Sequence, residues 1–263
     1  MANTQFPTIS HAFHKLTLAL KSSCKTTSEI HQLHSYMIKT SLTNHPFPLS
    51  KLLAASTIDM DYASTIFSYT QNPNLFMFNT MLRGYSVSPF SNKALPIFNE
   101  LRKRGIGLDR FSLIAVVKAC GTSLEVGFGR GVHGIAVKSG NGMFVDLSNT
   151  LLRFYCVCRR IEDACKVFEE FPERNDLMTW NILMGGCVLV SKHCLVFELF
   201  SKMCCVGIKA SVTTMLSLLC AAGDGGNFVL GKSLHGYCIK IGFGCNLNVV
   251  TVLIDMYAKT GRV

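Results

Sequence analysis

The stretch Leu177–Gly186, LMTWNILMGG, decides the fold, because a second version of it, LFMFNTMLRG, occupies Leu75–Gly84. Asn79 and Asn181 lie 102 positions apart, and His133 with His235, Lys138 with Lys240, Leu151 with Leu253 and Tyr155 with Tyr257 keep the same interval. A long interval kept by unrelated residue types marks an array of repeats, in which each unit buries its apolar face against its neighbours. Around the first copy the apolar residues run through Met81 and Tyr85, break at Ser88, Pro89 and Phe90, and resume as Ala94, Leu95, Ile97, Phe98 and Leu101. Spacings of three and four predict one helix on each side of that break. Pro96 is tolerable within the first turn of the second helix, and the basic run before Gly105 suits its C-terminus.

The same scheme extends in both directions. Phe13, Leu16 and Leu20, then Ile30, Leu33 and Met37, predict two helices between His11 and Thr40, separated by the Ser/Thr-rich stretch Ser22–Ser28. Ser28 reads as the cap of the second, with Glu29 in its first turn. Leu49, Leu52 and Leu53, then Tyr62, Ala63, Ile66 and Phe67, form another pair, closed by a turn at Asn72–Asn74. Beyond Gly105 come Ser112–Ala119, a glycine-rich interruption read from Gly127, Gly129 and Gly131 as an interhelix break, and a second segment Gly131–Val137. Leu147–Tyr155 and Ile161–Phe168 follow, with Pro172 ending that pair. The sum is roughly 15 to 16 helices and no strand, the pattern of an all-α solenoid of helix pairs. Apolar periodicity alone does not separate tetratricopeptide, pentatricopeptide and other helix-pair arrays.

Composition narrows the chemistry. Hydrophobic residues make up 49% of the 263 and charged residues 16%, with 26 Lys and Arg against 16 Asp and Glu, a net charge of +10. That balance favours a polyanionic partner, nucleic acid before membrane. The 12 cysteines contain no C-x-x-C pair, which argues against zinc, and Cys120, Cys165, Cys187 and Cys220 fall among Ala, Val and Leu as small hydrophobes suited to a reducing compartment. No apolar run reaches the roughly 18 to 20 residues of a membrane span. The first 28 residues lack Asp and Glu and are rich in Ser and Thr, the composition of a transit peptide, of which residues 1–9 would be a short or partial leader.

Five strings share one register: FNTMLRGYS (Phe78–Ser86), DACKVFEEFPERND (Asp163–Asp176), WNILMGG (Trp180–Gly186), GKSLHGYCIKIGF (Gly231–Phe243) and LIDMYAKTGRV (Leu253–Val263). They closely resemble plant pentatricopeptide repeat proteins of the subfamily that alternates P, L and S repeats, from about residue 10 to the last. The resemblance implies a right-handed superhelical solenoid with an L-like unit at 10–45, S at 46–74, P at 75–109, L at 110–144, S at 145–176, P at 177–211, L at 212–246 and the start of an S unit at 247–263. Units of 35, 35 and 32 residues together span the interval of 102.

In that family each repeat faces one base of single-stranded RNA. The resemblance assigns base choice to the fifth and last residues of each unit: Ser50 with Asn74, Asn79 with Asp109, Asn149 with Asp176, Asn181 with Ser211, and Thr251 without a partner in the chain. An amide both donates and accepts and suits a pyrimidine edge, whereas a hydroxyl leaves room for a purine. The implied bases are adenine at Ser50, uracil before cytosine at Asn79 and Asn149, cytosine at Asn181 and a purine at Thr251. Ile114 and Leu216, fifth in the L units, cannot bond a base and leave those nucleotides open. Phe76 and Met178, second in their units, would flank bases; Asp146 and Asn248 depart from the apolar residue expected there.

Other readings weigh less. Trp180 and Phe78 recur at a fixed helical offset, which favours interhelix core over base stacking. His34, His133 and His235 lie whole blocks apart and cannot share a metal, so they read as packing or capping residues. Related proteins often end in a cytidine deaminase domain, but the H-x-E and C-x-x-C elements of that chemistry are absent, so the chain itself reads as a non-enzyme without cofactor, metal or small-molecule substrate. Gly127, Gly129 and Gly131 lack the spacing of a phosphate loop. The chain stops at TGRV, midway through a unit, so it reads as a piece, a truncated product or a partner for a separately supplied element, lacking a C-terminal E or DYW domain. The expectation is a sequence-selective binder of single-stranded organellar RNA, mitochondrial before chloroplast, serving RNA editing, processing or stability through a separate trans-acting enzyme. The alternatives are a protein-binding scaffold of the helical-repeat type and an inactive gene product.

Overall fold

The computed structural model describes residues 26–140, 144–170 and 176–261. The expected leader at 1–9, the helix from His11 and the break at Pro172 lie outside the described residues. The fold is all-α, with fourteen α-helices and no strand among the described residues.

The chain divides into two compact units, Met1–Ser123 and Leu124–Val263. The first holds α1 (Thr27–Lys39), α2 (Pro46–Ser56), α3 (Met60–Tyr69), α4 (Leu75–Ser86), α5 (Ala94–Lys103) and α6 (Arg110–Ser123). Here α2, α4 and α6 lie side by side as one layer, with α3 between α2 and α4, and α5 between α4 and α6, as a second. The second unit holds α7 (Val126–Lys138), α8 (Val145–Val157), α9 (Ile161–Glu170), α10 (Leu177–Leu189), α11 (His193–Cys205), α12 (Val212–Asp224), α13 (Phe228–Lys240) and α14 (Leu247–Lys259). Its helices α8, α10, α12 and α14 form one layer, backed by α9, α11 and α13.

Local chemistry sets the helix starts. The caps of α4, α10, α12 and α14 are Asn74, Asp176, Ser211 and Asn246, and Asp109 accepts from Ser112 N at 2.8 Å at the head of α6. Each satisfies a backbone donor that the helix leaves open, worth about 1 kcal/mol. At α1 the cap is Thr26, not Ser28: Thr26 and Glu29 bond reciprocally, Glu29 N to Thr26 Oγ1 at 3.3 Å and Thr26 N to Glu29 Oε2 at 3.1 Å. A glutamate three residues after a threonine makes a capping box; one residue after Ser28 it cannot. At the far ends, Gly105 and Gly207 take positive φ (67° and 79°), where a β-carbon would be strained.

The expected break at Gly127, Gly129 and Gly131 is corrected. All three lie inside α7, and the chain turns instead at Leu124, which carries a φ of 57°. Gly129 is buried because the ring of Phe154 on α8 lies against it; a β-carbon there would stand 2.2 Å from Phe154 Cζ. The glycine serves a close approach of two helices, and packing outweighs its weak helix propensity of about 1 kcal/mol.

The two copies of the opening stretch are built alike. Phe78 and Trp180 are core, meeting Phe67 and Phe168 edge to face at 5.1 and 4.7 Å. Gly84 and Gly186 let the preceding helices close in: a β-carbon would meet Met60 Sδ at 2.5 Å and Cys156 Sγ at 2.2 Å. Gly186→Val should therefore cost about 1–3 kcal/mol by overpacking. Gly185, with nothing within 4 Å of its β-carbon position, should gain up to about 1 kcal/mol on change to Ala. Urea melts of the two neighbours check this, and equal responses would remove the packing argument.

Candidate nucleic-acid interface

The polar pairs come together inside each unit. Half-buried Asn79 on α4 donates Nδ2 to both carboxylate oxygens of Asp109, at 3.1 and 3.0 Å. A carboxylate only accepts, so it fixes the amide with nitrogen toward Asp109. Oδ1 then faces the Ser112 hydroxyl at 2.6 Å, which also lies 2.9 Å from Asp109 Oδ1. In the second unit Asn181 on α10 donates Nδ2 to Ser211 Oγ at 3.2 Å and accepts from Thr214 Oγ1 at 2.8 Å. Ser211 in turn caps α12 through Thr214 N, with Ser211 N bonding back to Thr214 Oγ1 at 3.0 Å.

Two further positions are more enclosed. Asn149 on α8 is 9% exposed and is linked to Asp176 through Thr179, whose hydroxyl lies 2.8 Å from Asn149 Oδ1 and 3.0 Å from Asp176 Oδ1. Ser50 on α2 is 5% exposed; its hydroxyl donates to Pro46 O at 2.6 Å and accepts from Asn74 Nδ2 at 3.2 Å. With that proton turned into its own helix, Ser50 has only a lone pair to offer a base. Asn74 meanwhile caps α4 through Met77 N. Thr251 is exposed on α14, its hydroxyl donating to Leu247 O at 2.8 Å. Ile114 and Leu216 are half-buried, while Asp146 and Asn248 are exposed.

Phe76 and Met178 stand out from α4 and α10, 48% and 58% exposed. Sequence reasoning missed two equivalents. Phe47 and Phe111 are also exposed, and each precedes Ser50 or Ile114 by the three residues that separate Phe76 from Asn79. Lys51 Nζ lies 5.5 Å from the ring centroids of both Phe47 and Phe76, and the Arg110 guanidinium 4.9 Å from that of Phe111. Aromatic faces beside cations suit stacked bases and their phosphates. Beside Asn181 the second unit has an open groove of about 830 Å³ lined by Arg153, Cys156, Met178, Gly185 and Ser211. Burial pushes the Cys156 thiol up to about 12, so it lies there as an apolar group rather than a nucleophile.

The histidines are packing residues. His34 Nδ1 meets Tyr62 Oη at 2.6 Å, His133 meets Tyr155 at 2.9 Å and His235 meets Tyr257 at 3.0 Å. Burial lowers His133, against the opposing charges of Glu170 and Asp163, and it lowers His34 together with the charge of His31. A lowered histidine is protonated more readily in the unfolded chain, so its stabilising effect is full above the ordinary histidine range and is lost as pH falls through it. Thermal melts at pH 7.5 and 5 should show lower stability in acid, and His133→Gln should flatten that dependence. No cluster of three His, Cys, Asp or Glu that could hold a metal occurs among the described residues, and no helix among them is long and apolar enough to cross a membrane.

Helix pairs in two layers, with the polar residue of one first helix backed by the cap of the next, define a helical-repeat protein of the α-solenoid class. The repeats belong to the PPR repeat family, which matches residues 76–106 and 147–176. A pentatricopeptide repeat-containing protein of Arabidopsis thaliana, named as mitochondrial, is 48% identical over 92% of this chain and 42% of its own length. A second from the same plant is 35% identical over 94% of this chain and 46% of its own length. The chain thus spans less than half of either relative. The crystal structure of the pentatricopeptide repeat protein PPR10 from maize shares the fold at a TM-score of 0.67, with 18% identity, over 95% of this chain and 40% of that one.

Proposed function

We propose that this chain reads single-stranded RNA in a plant organelle, the mitochondrion before the chloroplast. Its helix pairs are P, L and S repeats with the boundaries given by the five strings. Each hydrogen-bonded polar pair faces one base, and exposed second residues such as Phe76 and Met178 flank it. The chain serves editing, processing or stability by holding a transcript for an enzyme supplied separately. One observation carries the reading: Asn79 with Asp109 and Asn181 with Ser211, 102 positions apart, repeat one arrangement, an amide held by the following helix cap beside an exposed large apolar side chain. A base edge pairs donors with acceptors, which an amide held in one orientation can match. The net charge of +10 suits the phosphate backbone.

Gel shifts on RNAs that match or scramble the implied bases test this, and equal affinity at moderate salt would sink it. Asn181→Thr replaces the amide with a hydroxyl and should move preference at one nucleotide from pyrimidine toward purine, by about tenfold in relative affinity. An unchanged preference there would show that Asn181 does not face the base.

A further inference from the structure

A buried hydroxyl recurs beside each of the fifth-position asparagines Asn79, Asn149 and Asn181. Ser112, Thr179 and Thr214 sit in the first turns of α6, α10 and α12, three residues after Asp109, Asp176 and Ser211. Their oxygens lie 2.6, 2.8 and 2.8 Å from Oδ1 of Asn79, Asn149 and Asn181. All three residues are buried, so none can touch a ligand in the groove. At the serine pair, Ser50 with Asn74, the corresponding residue is Met77. We propose that these hydroxyls are positioning residues that hold the asparagine amide in one orientation toward an RNA base, and that at Asn181, where the cap is not a carboxylate, the hydroxyl sets which edge the base meets. The proposal rests on the RNA-reading function above and places part of the base choice on residues that never contact RNA.

The physical reason lies in the amide. Its donor and acceptor sides differ little in shape, and a half-turn exchanges them. Uracil presents a donor between two carbonyls, whereas cytosine presents a ring acceptor beside an amine, so exchanging the two sides of the amide changes what each base meets. At Asn79 the carboxylate already chooses: a flipped amide would set Oδ1 about 3 Å from both oxygens of Asp109. At Asn181 the cap is a serine hydroxyl, which both donates and accepts and leaves the orientation open. Thr214 completes the brace there. Its oxygen accepts from Ser211 N at 3.0 Å and lies 3.1 Å from Ser211 Oγ; a Ser211 proton directed to it engages both lone pairs, and its own proton then goes to Asn181 Oδ1 at 2.8 Å.

Thr214→Val keeps the shape and removes the donor. RNAs identical except for the base facing Asn181 are titrated against the wild type, Thr214→Val and Thr214→Ser. The wild type should separate best from worst base by about tenfold, Thr214→Val should compress that ratio to about twofold, and Thr214→Ser should restore it. A uniform loss of affinity with the ratio intact would assign Thr214 to packing and overturn the proposal. Failure of the wild-type chain to bind any of the RNAs would sink the RNA reading itself. The brace is then judged by NMR of the Asn181 side-chain amide protons, distinct and slow to exchange in the wild type. In Thr214→Val they should exchange faster; unchanged signals overturn the proposal. Should Thr214→Val lose its helix content, Thr214→Ala takes its place in both measurements.

Discussion

Trp180→Ala is expected to destabilise the second unit by about 3–5 kcal/mol, the ordinary cost of deleting a large buried aromatic. Trp180 is 5% exposed on α10 and packs edge to face on Phe168 of α9, so the deletion opens a cavity between two helices. Its first-unit counterpart, Phe78, fills the equivalent space against Phe67. Trp180→Phe should cost far less than Trp180→Ala. The indole Nε1 is buried without a hydrogen-bond partner among the described residues, and phenylalanine removes that donor, offsetting part of the lost volume. Because repeat arrays unfold in parts, the loss should appear as an early urea transition in helix content rather than a shift of the whole curve. A loss below about 1 kcal/mol for the alanine variant would show that Trp180 is not the anchor its burial implies.

The contrast between these two positions also shows what the sequence carried. The interval of 102 and the three-and-four apolar spacing were enough to place helix pairs and to read Phe78 and Trp180 as core. Helix limits were less legible, because glycine and serine carry two meanings each. Gly127, Gly129 and Gly131 resemble a break by propensity, yet Gly129 is required by Phe154, which is 25 residues away in sequence and adjacent in space. Ser28 is a good cap by type, but Thr26 has the glutamate at the right spacing. The candidate pairs come from the resemblance, which fixes a register that periodicity cannot. Their bracing hydroxyls were not, since Ser112 and Thr214 meet Asn79 and Asn181 across 33 residues and look like ordinary helix-start residues. The burial of Ser50 and the turning of its proton to Pro46 depend on how α2 packs, which no local pattern reports.

Phe76→Ala is expected to weaken RNA binding by about 5- to 150-fold, the range that corresponds to about 1–3 kcal/mol for base–aromatic stacking. The ring is 48% exposed, so its removal should leave stability within about 0.5 kcal/mol of wild type, separating binding from folding. Its place explains why the effect should exceed that of either aromatic neighbour. Phe76 stands on α4 between the Ser50 and Asn79 positions, so it can flank two successive bases, and the Lys51 ammonium 5.5 Å from its ring centroid adds a cation where a phosphate would run. Ser50 has its proton engaged within its own helix and is poorly equipped to choose a base. Stacking then has to supply much of the affinity at that nucleotide, and it is tolerant of sequence because every base has a π-face. The loss from Phe76→Ala should therefore be similar for RNAs that differ at the base facing Ser50. Fluorescence anisotropy on such a set at fixed salt measures both features. Unchanged affinity would remove Phe76 from the interface, and a loss confined to one base would mean that Ser50 and Phe76 read it together.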